Sequence, residues 1–370
     1  MNSTEKLQTE TMYINMGPQH PSTHGVLRLG LTLDGEVVTA ADPDIGYLHR
    51  GIEKLAEKRN YFQFNPLTDR LDYLASMSNN LAYCLTVEKI LGVAIPPRAQ
   101  VLRVIMAELQ RIASHLVYFG TYGVDLGAVT PFMYAFRDRE VIVDLFESVC
   151  GARLTYNYIR IGGAAADLPE GFVEKTKIFI QSMGPHLQDY DNLLSDNAIF
   201  LDRTKGIGII SGEKAIAYGL SGPNLRASGI KFDLRKDEPY SGYDQYNFAV
   251  PVGTRGDCWD RYYLRMSEIR ESLKIVEQAL NKLPSGEYLA KVPKVLKVPA
   301  GETYQHIESP RGDLGFYLVS DGTEKPYRLK IRAPSFVNLQ ILGDIMPGGK
   351  IADIVAILGS IDIVLGEVDR

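Results

Sequence analysis

From Arg98 to Tyr118 the chain runs without a single glycine or proline. Val101, Leu102, Ile105, Leu109, Ile112 and Leu116 recur there at the spacing that lines one face of an α-helix. Pro96-Pro97 gives this helix a natural start, because a first-turn proline gives up no intrahelical hydrogen bond. Leu48–Phe64 and Leu71–Leu91 are two further long stretches with few breakers. Pro131 to Glu147, Glu170 to Leu194 and Cys258 to Leu283 read the same way, and Ile351–Leu358 reads as a short last helix. The chain is therefore expected to be mainly helical.

Strands are confined to the edges of this pattern. Thr11 to Met16 alternates weakly before Gly17-Pro18-Gln19-His20-Pro21 breaks the chain. Val26 to Leu33 then sets Val26, Arg28 and Gly30 against Leu27, Leu29 and Leu31, and Asp34-Gly35 offers a type I′ turn into Glu36 to Thr39. His20 and His24 thus fall on a tight connection at the rim of a small sheet. Leu314–Val319 and Tyr327–Ile331, joined through Ser320-Asp321-Gly322, suggest a second hairpin. The fold class expected is α+β, with small antiparallel β elements at the N-terminus and near the C-terminus. Three regions follow: a β-rich segment over 1–45, a helical core over 46–300, and a hairpin with a C-terminal segment over 301–370. Within the core, 219–257 is rich in Gly, Pro, Asp and Tyr, and a long irregular excursion of this kind is usually functional or partner-bound.

With 370 residues the chain can hold one large core or two moderate ones. A net charge of −5 argues against a nucleic-acid surface, which would show clustered Lys and Arg. Met1 to Glu10 is polar and has no secretory signal character. No apolar run is long enough for a transmembrane helix, so membrane contact is expected to be indirect. Cys84, Cys150 and Cys258 are isolated, which fits a reducing compartment and cannot by itself hold a four-thiolate iron–sulfur cluster.

Several clusters carry possible chemistry. Gly206-Ile207-Gly208 lacks a third glycine at the spacing of a dinucleotide loop, since Gly212 comes one residue too late. His20 and His24 have the four-residue spacing of a metal pair, but Pro21 and Gly25 disfavour the helix such a pair needs. Imidazoles on a rigid turn suit proton donation, as His titrates near pH ~6.5; the bland alternative is that both bond the turn backbone. Asp69-Arg70-Leu71-Asp72-Tyr73 reads either as a reactive cluster or as a solvated helix N-terminus, where acids are favoured. Glu108, Arg111 and His115 form a polar stripe on an apolar helix, either an outer face or a buried charge network. Asp125 lies in the apolar setting Gly123-Val124-Asp125-Leu126-Gly127-Ala128 and needs a partner or a raised pKa.

Six separated segments together resemble one family. They are Gly17-Pro18-Gln19-His20-Pro21-Ser22-Thr23-His24-Gly25-Val26-Leu27-Arg28, Tyr47-Leu48-His49-Arg50-Gly51-Ile52-Glu53-Lys54, Asp69 to Tyr73, Asp125 to Phe132, Pro251 to Asp257, and Gly366-Glu367-Val368-Asp369-Arg370. The family is the D subunit of respiratory complex I, the bacterial proton-pumping NADH:quinone oxidoreductase, and the resemblance spans nearly the whole chain. It implies a hydrogenase large-subunit-like helical core. Nickel–iron hydrogenases hold their metals with Cys-x-x-Cys pairs; this sequence has none, and Ile363-Val364-Leu365 stand where thiolates would be needed.

The resemblance implies that this metal-free cavity takes a quinone. His24 and Tyr73 match the headgroup partners, Asp125 the acid that pairs with the histidine, and His20 a support of the same turn. Arg50 and Arg70 match positions beside an iron–sulfur cluster held by an adjoining B-type subunit. The chain itself is expected to bind no cofactor and no metal. A C-type subunit and a membrane-arm subunit are the other expected partners, on the cytoplasmic side of the cell membrane. Asn80 and Thr155 stand where many relatives carry Glu and His. The loss of a titrating histidine at 155 favours menaquinone over ubiquinone as acceptor. A scaffold role without chemistry, a true hydrogenase subunit, and a ferredoxin-dependent relative are the competing readings.

Overall fold

A computed structural model describes residues 10–18 and 25–370. The N-terminal sheet has three antiparallel strands, Thr11–Met16, Arg28–Asp34 and Val37–Asp44. Leu27, Leu29, Leu31 and Leu33 are all buried, as the period-two alternation requires. The hairpin turn sits one residue later than expected: Asp34 pairs with Val37, so Gly35-Glu36 turn the chain. Gly35 at φ 61 supplies the positive φ that the first central position of this turn demands.

Two of the expected helices are broken, for local reasons. Leu48–Phe64 becomes Ile52–Ala56 and Tyr61–Thr68, because Asn60 and Gln63 form a reciprocal capping box that starts a new helix. Leu71–Leu91 does not become helical until Ser76. Before that point the Asp72 carboxylate accepts the Leu74 N–H at 3.0 Å, a side-chain-to-backbone bond that competes with the helix. Tyr73 therefore stands on a turn.

The long helix is longer than the periodicity suggests, Pro97–Asp125, and is buried almost all round through its middle. It packs against Thr130–Cys150 and Cys258–Asn281, with Phe172–Tyr190 outside them. Asp191–Ser195 finishes the expected 170–194 helix as a π-turn. The C-terminal sheet gains a strand that the sequence did not suggest: Gly301–Ser309 joins Gly312–Ser320 and Arg328–Arg332. No helix among the described residues is long and apolar enough to cross a membrane.

The hydrophobic interior has two parts. The larger one is helical and includes the inner face of the C-terminal sheet. The smaller one joins Leu27, Leu29 and Leu31 to Ile354, Ile357, Ile363 and Leu365, so the two ends of the sequence share a core. Gly208 lies against this core: a Cβ there would come within 2.9 Å of Ile357, and its carbonyl accepts from Arg261 at 2.8 Å. Close packing accounts for that glycine without a nucleotide.

The 219–257 excursion contains only short helical pieces, Gly222–Ala227 and Leu234–Asp237, and a 3-10 turn at Tyr243–Gln245. Its charged residues Arg226, Asp233 and Arg235 are buried inside the chain itself. This irregular segment is held by ion pairs within its own chain.

Candidate functional site

The polar stripe of the long helix is a buried charge network, which settles one open alternative. Glu108 accepts from Tyr243 Oη and Ser272 Oγ, both at 2.6 Å, and lies 3.2 Å from Arg235. His115 Nε2 meets Glu268 at 2.9 Å, Glu268 pairs with Arg226 at 2.6 Å, and Arg226 reaches Glu308 at 2.8 Å. Burial pushes the Glu108 carboxyl up, but Arg111 and Arg235 outweigh it and hold it below its ordinary range. Arg226 and His115 similarly outweigh burial at Glu268. Burial holds the His115 imidazole down, towards the neutral form. Breaking such a network costs far more than its presence contributes, because the surviving charges stay buried.

The Asp69–Tyr73 segment is not a solvated helix N-terminus. Asp69 and Asp72 are buried, while Tyr73 is 40% exposed. Asp72 binds Arg311 at 2.6 Å, and Arg311 also reaches Ser114 Oγ at 3.0 Å and Asp362 at 3.3 Å. Burial raises the Asp72 carboxyl against the pull of Arg311. Burial and the Asp72 charge raise the Tyr73 phenol, keeping its proton on. An exposed phenol is thus mounted on a rigid, buried base.

The C-terminal segment closes round this turn. Arg50 donates to the Arg70 and Gly366 carbonyls, both at 2.8 Å, and Arg70 donates to the Pro66 carbonyl at 2.6 Å. A Cβ on Gly366 would sit 2.4 Å from the Leu71 carbonyl oxygen. Leu365, next in the chain, lies against Gly25. Arg50, Arg70, Tyr73 and the backbone at Gly25 are therefore brought together by one C-terminal strap. His20 and His24 lie outside the described residues.

Asp125 is the last residue of the long helix and is partly buried. It lies roughly 16 Å along the axis from Ser114, at 1.5 Å per residue. On the other side of the Tyr73 turn, Thr155 and Asn157 both hold positive φ, 55° and 44°. For β-branched Thr155 this is a strained conformation. Asp69 accepts the Asn157 N–H at 3.1 Å, and burial pushes its carboxyl up to about 7. Asn80 is buried and donates to Thr68 Oγ1 at 2.8 Å.

Sequence reasoning missed Arg311, Asp362 and the burial of Glu367, whose carboxylate accepts the Ser335 N–H at 2.9 Å. Each is a charged residue close to a turn or chain end, where a charge ordinarily reads as solvated. Only the fold buries all three.

A model of the family described as the respiratory-chain NADH dehydrogenase 49 Kd subunit matches residues 125–370. The D subunit of NADH-quinone oxidoreductase from Bacillus anthracis is 57% identical over 364 residues, 98% of this chain and all of that protein. The chain belongs to this family. The corresponding D subunits from Bacillus thuringiensis and Bacillus cereus are similar to the same extent, each 57% identical over 98% of the chain and their own full length. The family expectation from the separated segments is therefore met, as is the mainly helical α+β fold with its small terminal sheets.

Proposed function

We propose that this chain forms the quinone headgroup site of a proton-translocating NADH:quinone oxidoreductase and works only within that complex. The observation that carries this reading is Tyr73, a protonated phenol opening outward from a buried Asp72–Arg311 pair. Full-length likeness to proteins named for a quinone reaction supports it. Reducing a quinone takes two electrons and two protons, so a site needs acids within hydrogen-bond reach of the two carbonyl oxygens. Tyr73 is one such acid and His24 the other. Asp125 sets the proton affinity of His24, and His20 supports the same turn. Electrons come from an iron–sulfur cluster in the B-type subunit, which supplies the redox chemistry that this chain lacks. Arg50 and Arg70 place fixed positive charge beside that cluster, where it favours the reduced form. The exposed side of Tyr73 is closed by partner subunits, the C-type and membrane-arm chains being the others in contact, on the cytoplasmic face of the membrane. The names of the relatives favour NADH over ferredoxin as the ultimate donor.

Tyr73→Phe in the intact complex tests this directly. The ring remains and one hydrogen bond is lost, so kcat/KM for quinone should fall by about 1–3 kcal/mol in transition-state terms. Assembly should be unaffected. Normal quinone turnover would remove Tyr73 from the mechanism.

A second test concerns Thr155. A side chain that exchanges no proton cannot couple cluster reduction to proton uptake, so the cluster midpoint should vary little with pH and lie low, matched to menaquinone. Asp69, at about 7, is the neighbouring group able to exchange a proton in that range. Redox titration at several pH values, repeated with Asp69→Asn, separates the two. A steep pH dependence that survives Asp69→Asn would defeat the menaquinone assignment.

A further inference from the structure

Where the 219–257 excursion meets the C-terminal sheet, one imidazole lies between two carboxylates. His306, on the strand Gly301–Ser309, has Nδ1 at 3.0 Å from Asp313 Oδ1 and Nε2 at 3.1 Å from Glu238 Oε2. Asp313 belongs to the neighbouring strand Gly312–Ser320, and Glu238 directly follows the short helix Leu234–Asp237 of the excursion. A neutral imidazole has one N–H, so it can donate to one of these carboxylates and must turn a lone pair towards the other. The imidazolium, with two N–H groups, satisfies both.

The other charged and titratable groups around the ring have partners of their own. Tyr304 stacks obliquely on the imidazole at 5.2 Å, and Arg332 lies 3.3 Å from Asp313. Elsewhere on the sheet, Lys330 pairs with Glu53, Tyr317 donates to Glu302, and Glu308 is held by Arg226. Lys89, from the helix Ser76–Leu91, donates to the Tyr304 carbonyl at 2.9 Å. On the excursion, Asp237 accepts the Asp233 N–H and Lys236 lies over the Phe248 ring. The bond to Asp313 outweighs burial and, with that to Glu238, raises the imidazole above its ordinary value. The two arms differ in shelter. The Asp313 side chain is 16% exposed and the Glu238 side chain 62%, so Glu238 is the one able to turn into water.

We propose that His306 is a proton-operated clasp: as the imidazolium it ties Glu238 of the excursion to the C-terminal sheet, and on losing its proton it keeps Asp313 and releases Glu238. The remaining N–H stays with the sheltered carboxylate, which Arg332 also supports, and the bare nitrogen repels the exposed one. Because the folded ring binds its proton more tightly than a free imidazole, the clasp contributes fully below the ordinary value of ~6.5. Its contribution is lost as pH rises through the higher value of the folded chain. Beyond Glu238 the segment keeps its inner anchors: Tyr240 Oη accepts the Glu308 N–H at 3.2 Å, and Tyr243 Oη donates to Glu108. Opening the clasp therefore loosens the outer turn of the excursion and leaves the buried charge network in place.

The test follows two exchange reactions by mass spectrometry in the assembled complex, across the range in which histidines titrate. Exchange of the imidazole C2 hydrogen gives the midpoint of His306 itself, and amide exchange reports on residues 238–246. His306 should titrate above ~6.5 in wild type, and its midpoint should fall in Asp313→Asn. As it deprotonates, amide exchange of 238–246, corrected for the intrinsic effect of pH, should rise about twofold to fivefold, the range an exposed ion pair supports. Glu238→Gln alters an exposed side chain and leaves the sheet intact, so this variant should fold and hold the segment at the raised rate at every pH. His306→Gln should do the same, and exchange in the long helix should not change in either variant. A wild-type midpoint at or below ~6.5 overturns the charged ring. Exchange of 238–246 that is flat with pH in wild type, or that still rises with pH in Glu238→Gln, overturns the clasp.

Discussion

Replacing Arg226 with Met should destabilise the full chain by about 3–5 kcal/mol, because it takes from the buried Glu268 and Glu308 carboxylates the cation they share. Arg226 sits 2.6 Å from Glu268 and 2.8 Å from Glu308, with Asp233 at 3.8 Å, and all four are buried. Methionine fills the space but offers no charge. Wild-type Glu268 is held well below the ordinary carboxylate range, so it stays ionised in the folded chain. Without Arg226 its pKa rises, and folding then prefers the protonated acid. The deficit should therefore be largest above the carboxylate range and shrink as pH falls through it. Urea unfolding at several pH values measures this directly. Adding Glu268→Gln should recover part of the loss, which a double-mutant cycle would express as coupling. A loss below about 1 kcal/mol at neutral pH would mean that the network is wetter than its geometry implies.

Gly366→Ala should cost about 3 kcal/mol, the upper end for overpacking. The added carbon would meet the Leu71 carbonyl at 2.4 Å and the Arg70 carbonyl at 3.2 Å, both backbone atoms that cannot rotate away. The strap must lift, and Arg50 then loses its bond to the Gly366 carbonyl. Thermal unfolding reads the stability term. The same variant in the complex should impair quinone turnover beyond what the stability loss explains, because Tyr73 shares the displaced turn. Wild-type stability would show that the strap is pliable and the site does not depend on it.

The parts of the molecule legible in the sequence were those set by local rules. Strand alternation found Leu27 to Leu33, and helical spacing found the Arg98–Tyr118 core of the long helix. The errors arose where side chains compete with the backbone. Asn60 with Gln63, and Asp72 with Leu74, ended or delayed helices that periodicity alone would continue. The signal was present in the first case, as a capping box. The strand Gly301–Ser309 is half exposed along its first part, so its pattern carried little apolar contrast. At the site, separated motifs pointed to Tyr73, Arg50 and Arg70. They could not show that Asp72 is paired with a residue from a distant hairpin turn, because Arg311 is brought there only by tertiary packing.

The shared core of the two chain ends also bears on synthesis. Leu29 and Leu31 are made early, yet their apolar neighbours Ile357, Ile363 and Leu365 come more than three hundred residues later. At ~5–20 residues per second, the first sheet waits roughly 15–60 s on the ribosome for the segment that covers it. During that interval a three-stranded sheet shows an open leucine face and two unpaired edges, the surface that chaperones bind and aggregates grow from. Ile210, Leu220 and Leu225 of the same core are made midway, and the covering helix and strap only after them. The core is complete only once Leu365 has been made, and any delay in reaching it lengthens the exposure of the sheet.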